Sequence, residues 1–243
     1  MKFLVCIKQV PDVSGNVNSG RMVLNAYDAS AVEAALVLTE GTDSEIHLVL
    51  IGPDSAKETI RKALAMGASS AVHFVSAESD SMDSGSIAAQ LASYCAEIQF
   101  DIVLCGKQSQ DTDAGLTGGM LAAHLKLPYA TNAVGLAYQD SYDGIVVTRQ
   151  GDSGQEILQL PLPCLVTCSN DMNNPRIPSL KGIMQAKKKS IDARQFENNS
   201  LSSTRILNYE QPAAREPARM LEGETEEKVT ALVLALVQES GIF

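Results

Sequence analysis

Two hydrophobic periods alternate along the first half of the chain. Phe3-Leu4-Val5-Cys6-Ile7 is an unbroken apolar run, the mark of a strand covered on both faces. Residues 28–38 then place Ala31, Val32, Ala34, Ala35 and Leu38 at helical spacing. A second apolar run, residues 46–51, closes at Gly52-Pro53. Residues 55–66 put Ile60, Ala63 and Leu64 on one helical face, with Gly67 as C-cap. Residues 71–75 predict a third strand. Residues 86–98 predict a helix with Ile87, Leu91, Tyr94 and Cys95 inward. Residues 101–106 predict a fourth strand, and 116–125 a further helix ended by Pro128. Strands that alternate with helices in this way predict an α/β fold, a Rossmann-like parallel sheet with helices on both faces.

Beyond residue 130 the period shortens. Residues 133–138, 144–150 and 156–160 alternate as strands around the turn signals at 140–144 and Gly151-Asp152-Ser153-Gly154, which predicts an antiparallel addition. Residues 163–167 return to a buried strand. Asn173-Asn174-Pro175-Arg176-Ile177-Pro178 carries two prolines and cannot be a regular element. Residues 195–223 are polar and aperiodic. In 224–239, Val229, Leu232, Val233, Leu236 and Val237 form the apolar stripe of a closing helix. The expected division is an α/β domain over 1–190 and an arm over 191–243.

Composition narrows the function classes. The 243 residues are 45% hydrophobic and carry a formal net charge of -10, against the basic footprint of a general nucleic-acid binder. No apolar run approaches the roughly 18–20 residues of a membrane span, and the start reads as a strand and not a leader, so a cytoplasmic chain is expected. Five cysteines at irregular spacing, none in a CxxC pair, favour reduced buried thiols over a disulfide framework or a metal site. Gly151-Asp152-Ser153-Gly154 imitates a serine-protease nucleophile motif, but its Ser lies in a hairpin turn and His124 ends a helix, so no triad is expected. There is no GxGxxG and no GxxxxGK[ST]. No catalytic side chain is expected.

The informative segment runs from Gly106 to Met120, after a buried strand and into a helix. In open parallel sheets ligands bind beyond the carboxyl ends of strands. Free amides at a helix N-terminus favour an anion, and Gly115, Gly118 and Gly119 permit close backbone approach. The ends of the strands near Cys6, residues 25–28 and Ile51 belong to the same sheet edge. Together they predict a nucleotide or phosphate crevice.

Several stretches carry a resemblance. Val5-Cys6-Ile7-Lys8-Gln9-Val10-Pro11-Asp12, Asn25-Ala26-Tyr27-Asp28 with Ala31-Val32-Glu33-Ala34-Ala35-Leu36, Glu58-Thr59-Ile60-Arg61-Lys62-Ala63-Leu64-Ala65-Met66-Gly67-Ala68, the loop 106–118, and Asn174-Pro175-Arg176 through residues 179–189 stand in order. Over residues 1–190 the chain resembles the β subunits of electron transfer flavoproteins. The resemblance implies a fold like the adenine nucleotide α-hydrolases and a heterodimer with an α subunit that holds most of an FAD. It also implies electron uptake from flavoprotein dehydrogenases. A structural AMP would fall on Cys6, Asn25, Ala26, Tyr27, Asp28, Ile51, Gln108, Ser109, Asp111, Asp113, Ala114, Gly115, Leu116, Thr117, Gly118 and Gly119, with Thr117 and Gly118 at its phosphate. Val13 and Tyr27 would approach the FAD. A recognition loop over 169–190 would bind the dehydrogenase through Leu180, Pro178 and Arg176, and the C-terminal arm would pack on the α subunit. Where AMP-binding relatives carry Asn-Gln-Thr-Gly, this chain has Gly115-Leu116-Thr117-Gly118, so two side-chain contacts are missing. Electron-bifurcating relatives hold a second FAD there with a Thr-Ala-Gln-Val-Gly-Pro loop, which this chain lacks. The alternatives are that second-FAD form and a stand-alone nucleotide-binding regulator of the universal-stress kind.

Overall fold

The structure is a computed structural model that describes residues 1–12, 20–77, 82–139, 142–196, 202–204, 206–208, 210, 213–215 and 217–238. Val13, the turn residues 140–141 and Glu239 lie outside the described residues. In chain order the elements are β1 (Lys2–Ile7), β2 (Gln9–Pro11), β3 (Met22–Leu24), α1 (Ala26–Thr39), β4 (Glu45–Gly52), α2 (Lys57–Met66), β5 (Ser70–Val75), α3 (Ser84–Glu97) and β6 (Ile102–Gly106). They continue with α4 (Thr117–Leu125), β7 (Tyr129–Gln139), β8 (Tyr142–Gly151), β9 (Gly154–Pro161), β10 (Cys164–Cys168), α5 (Leu180–Lys188), β11 (Ile191–Gln195) and α6 (Thr225–Gln238).

Nine strands form one sheet in the order β11-β5-β4-β1-β6-β10-β7-β8-β9. β1 is central, parallel to β4 on one side and β6 on the other. Its alternate residues serve two cores, as the period of two demands. Phe3, Val5 and Ile7 join Ala31, Val32, Ala35, Ile60 and Leu64 of α1 and α2. Leu4 joins Leu91 and Tyr94 of α3 and Leu121 of α4 on the opposite face. Helices on both faces explain why these strands are continuous apolar runs. α3 starts where Asp83 and Ser86 form a capping box, the Asp83 carboxylate accepting from the Ser86 amide at 2.9 Å.

Four features differ from expectation. β7 begins at Tyr129, and its first residues pair parallel with β10; only from Ala133 does it pair antiparallel with β8. A register shift against β10 and Asn132 at φ 57° turn it between the two roles. The hairpin β2–β3 forms a separate two-stranded sheet. Residues 180–188 are helical, and 191–195 form a parallel edge strand on β5. The two compact units are Met1–Arg205 and Ile206–Phe243.

The second unit contains α6, which carries Glu226 and Glu227 in its first turn, where the helix dipole favours them. No helix among the described residues is long and apolar enough to cross a membrane. All five cysteines are free, and burial pushes the Cys95 and Cys164 thiols up to about 12.

Candidate functional site

The carboxyl ends of β1, β6 and β10 meet one loop, residues 107–116. The loop leaves the end of β6, and its first residue is tied to the end of β10, Lys107 N donating to Cys168 O at 2.8 Å. Asn25, just before α1, reads the loop twice: its Nδ2 donates to Gln108 O at 2.8 Å and its Oδ1 accepts from Gln110 N at 3.2 Å. Ala26 N donates to Gln110 Oε1 at 3.2 Å, which satisfies an amide of the first turn of α1. From the end of β1, Lys8 Nζ donates to Ser109 Oγ at 3.2 Å and pairs with Asp111 at 2.8 Å. Burial pushes the Asp111 carboxyl up, but the Lys8 hydrogen bond and charge outweigh it and hold the pKa below its usual value. Gln108 Nε2 donates to Asp113 Oδ1 at 2.8 Å. The polar ends of Asn25, Gln108, Asp111 and Asp113, expected at a ligand, therefore shape the loop itself.

What the loop presents is the start of α4. No side chain caps that helix, so the amides of its first turn point out unpaired by the helix. Gly115 holds φ 55°, a left-handed turn that suits glycine and aims the chain into Thr117. At Gly118 a Cβ would stand 2.5 Å from Thr167 Cγ2, so only glycine lets α4 sit this close to β10. The result is a row of donors with the positive end of a helix dipole behind them, the chemistry of an anion cradle. The donor set fits a phosphate. Cys6, Ile51, Tyr27 and Thr117 are half-buried around this edge, while Ala114, Leu116 and Ser109 line the outer turn.

The second group of expected residues lies elsewhere. Residues 173–179 form no regular element and are tied to α1, with Arg176 as the fastening. Its Nε and Nη2 reach the Glu33 carboxylate at 2.8 Å each, its own N–H donates to Glu33 Oε2 at 3.0 Å, and Nη2 also meets Glu40 at 2.9 Å. Burial pushes Glu33 up, but its hydrogen bonds from Arg176 and that charge hold its carboxyl below the usual range. Asn173 Nδ2 donates to Ser30 O at 3.0 Å alongside. Arg176 thus acts inside the chain, as a clamp. Pro178 is half-buried, whereas Ile177 is 92% and Leu180 76% exposed. Leu180 is the first residue of α5, whose N-cap Ser179 accepts from Gly182 N at 3.1 Å. Arg61 of α2 donates to Ala186 O at 2.6 Å and to Lys189 O, so the C-terminal end of α5 is anchored.

Sequence reasoning did not identify the Arg176–Glu33 clamp or Arg61. A signal for the first was present: Glu33 interrupts the apolar face Ala31-Val32-Ala34-Ala35, and a buried carboxylate requires a partner.

A mostly parallel sheet with helices on both faces, and an amide-lined helix start beyond the ends of its strands, defines a Rossmann-like α/β protein. Residues 16–198 match the family model described as "Electron transfer flavoprotein domain". The chain is 37% identical over 254 residues to the electron transfer flavoprotein subunit beta of Bradyrhizobium diazoefficiens, with the whole of both chains covered. It is 32% identical over 263 residues to the caffeyl-CoA reductase-Etf complex subunit CarD of Acetobacterium woodii, again over all of both. To the subunit beta of Megasphaera elsdenii it is 35% identical over 209 residues, 79% of this chain and 77% of that one. The chain belongs to the electron transfer flavoprotein family, among its β subunits.

Proposed function

We propose that this chain is the β subunit of a heterodimeric electron transfer flavoprotein. It pairs with an α subunit that holds most of an FAD, accepts electrons from flavoprotein dehydrogenases and passes them to a downstream acceptor. The flavin supplies the redox chemistry when bound. This chain's residues position and shield. An AMP phosphate is held by the amides of Thr117, Gly118 and Gly119, with its nucleoside along Cys6, Ile51 and residues 25–27. Tyr27 faces the FAD, and Leu180 and Ile177 stand out toward the dehydrogenase.

The observation that carries this reading is the uncapped start of α4 beside a loop pinned by Asn25 and Lys8, in a chain of this family. The test is release and chromatography of the nucleotides from the purified heterodimer. One FAD and one AMP are expected; a heterodimer with no AMP overturns the assignment of the crevice.

A second reading has its own support. The end-to-end likeness to a subunit of a caffeyl-CoA reductase-Etf complex favours delivery of electrons to an acyl-CoA reductase, with a second FAD in the same crevice. Two flavins per heterodimer would select it. The universal-stress regulator gains no support, because the family match extends through residue 198 and includes the partner-facing segment.

A further inference from the structure

Asp28 is buried, 5% exposed, in the first turn of α1. Its Oδ2 accepts from Lys8 N at 2.7 Å, and its Oδ1 accepts from Gly106 N at 3.0 Å. Lys8 follows the last residue of β1, and Gly106 ends β6. One carboxylate therefore joins the ends of two central strands to the start of a helix, directly below the loop 107–116. The fit is tight: a Cβ on Gly106 would stand 2.2 Å from Asp28 Oδ1. Three of the groups that shape the loop flank this junction, since Asn25 precedes α1, Lys8 follows β1 and Lys107 follows Gly106.

We propose that Asp28 is the positioning residue of the nucleotide crevice, holding the strand ends and the start of α1 in register through two backbone amides and not through contact with the nucleotide. This deepens the AMP reading above and rests on it for its consequence, though not for the tie itself. Both oxygens act as acceptors, so the tie needs the ionised form; a proton on either would face an N–H donor. The groups that face Asp28 are the Lys8 ammonium, itself drawn to Asp111, and the thiols of Cys6 on β1 and Cys168 on β10. Burial raises the carboxyl to about 7, against the hydrogen bonds from Lys8, Asn25 and Gly106 that lower it. The closed junction is accordingly the form above neutral pH, and it loosens as pH falls through that range.

The test uses the purified heterodimer, wild type and Asp28→Asn, with AMP as the probe. Amide hydrogen exchange of Lys8 and Gly106, corrected for intrinsic rates, reads the tie. AMP dissociation between pH 6 and 8.5 reads its consequence. Loss of one charge-assisted hydrogen bond corresponds to roughly 10- to 100-fold in each. Expected is a loss of protection confined to Lys8 and Gly106 in the Asn variant, with β4 and β5 unchanged. Expected also is AMP release that accelerates more steeply toward low pH in the wild type than in the variant, where only the titration of the AMP phosphate, common to both, remains. Unchanged protection in the variant overturns the proposal, as does identical pH dependence of AMP release in both proteins. If the wild type holds no AMP but protection falls as stated, the nucleotide reading fails and the tie stands.

Discussion

Gly118 shows how a single missing methyl group shapes the candidate site. An added Cβ would stand 2.5 Å from Thr167 Cγ2, on a strand that is buried throughout. Gly118→Ala must shift α4 off β10 and is expected to cost about 1–3 kcal/mol, as overpacking does. Denaturant unfolding checks the stability, and the AMP content of the purified complex, expected to fall, checks the site. Arg176 makes a different kind of contribution. Its pair with Glu33 lies between an exposed and a buried ion pair, since Glu33 is 7% exposed. Arg176→Ala leaves that carboxylate without its partner, and about 2 kcal/mol is the expected cost near pH 7. Glu33 has a folded pKa below its unfolded one, so the stabilisation is present above the unfolded carboxylate value and is lost as pH falls through the folded one. The difference in stability between wild type and Arg176→Ala is thus expected to shrink below about pH 4. A difference that holds constant from pH 7 to pH 3 would show that the clamp is not electrostatic.

At the scale of elements, the central parallel strands and the helices between them were legible because burial on both faces leaves continuous apolar runs and helical spacing. The crevice loop was legible for a related reason: strand, glycines and helix follow one another from Gly106 to Met120. What escaped were elements whose stability comes from neighbours. β11 reads Ile-Asp-Ala-Arg-Gln and is an edge strand on which Asp192, Ala193 and Gln195 are exposed. It is held by Arg194, whose guanidinium lies 5.3 Å from the Tyr94 ring and pairs with Glu97 at 2.6 Å. α5 carries a Gly and ends in lysines, and its anchor is Arg61, more than a hundred residues away in sequence. The side chains of loop 107–116 were expected at the ligand, but their mutual hydrogen bonds depend on partners across the fold that no local pattern shows. α5 also supplies the element-scale prediction. With Leu180 and Met184 exposed on an anchored helix, Leu180→Ala is expected to slow electron uptake from the partner dehydrogenase about tenfold or more, with the flavin spectrum unchanged. Stopped-flow reduction measures it, and a wild-type rate would remove Leu180 from the docking surface.

For the whole molecule, the chain divides into two compact units, Met1–Arg205 and Ile206–Phe243. The backbone amides of Ser203 and Thr204 donate to Asp83 Oδ2 at 2.7 and 3.1 Å, so a chain ending at 205 keeps the ties that close the first unit. Such a truncation is expected to unfold cooperatively with stability within about 1 kcal/mol of the full chain, yet to fail to co-purify with an α subunit. Size-exclusion chromatography of the co-expressed pair reads the second outcome directly. The measurement that tests the proposed function most directly is the nucleotide and flavin content of the purified heterodimer, by acid release and chromatography. One FAD and one AMP per heterodimer are expected; a purified complex with two flavins, or with no adenine nucleotide beyond the FAD, would overturn the assignment of the crevice.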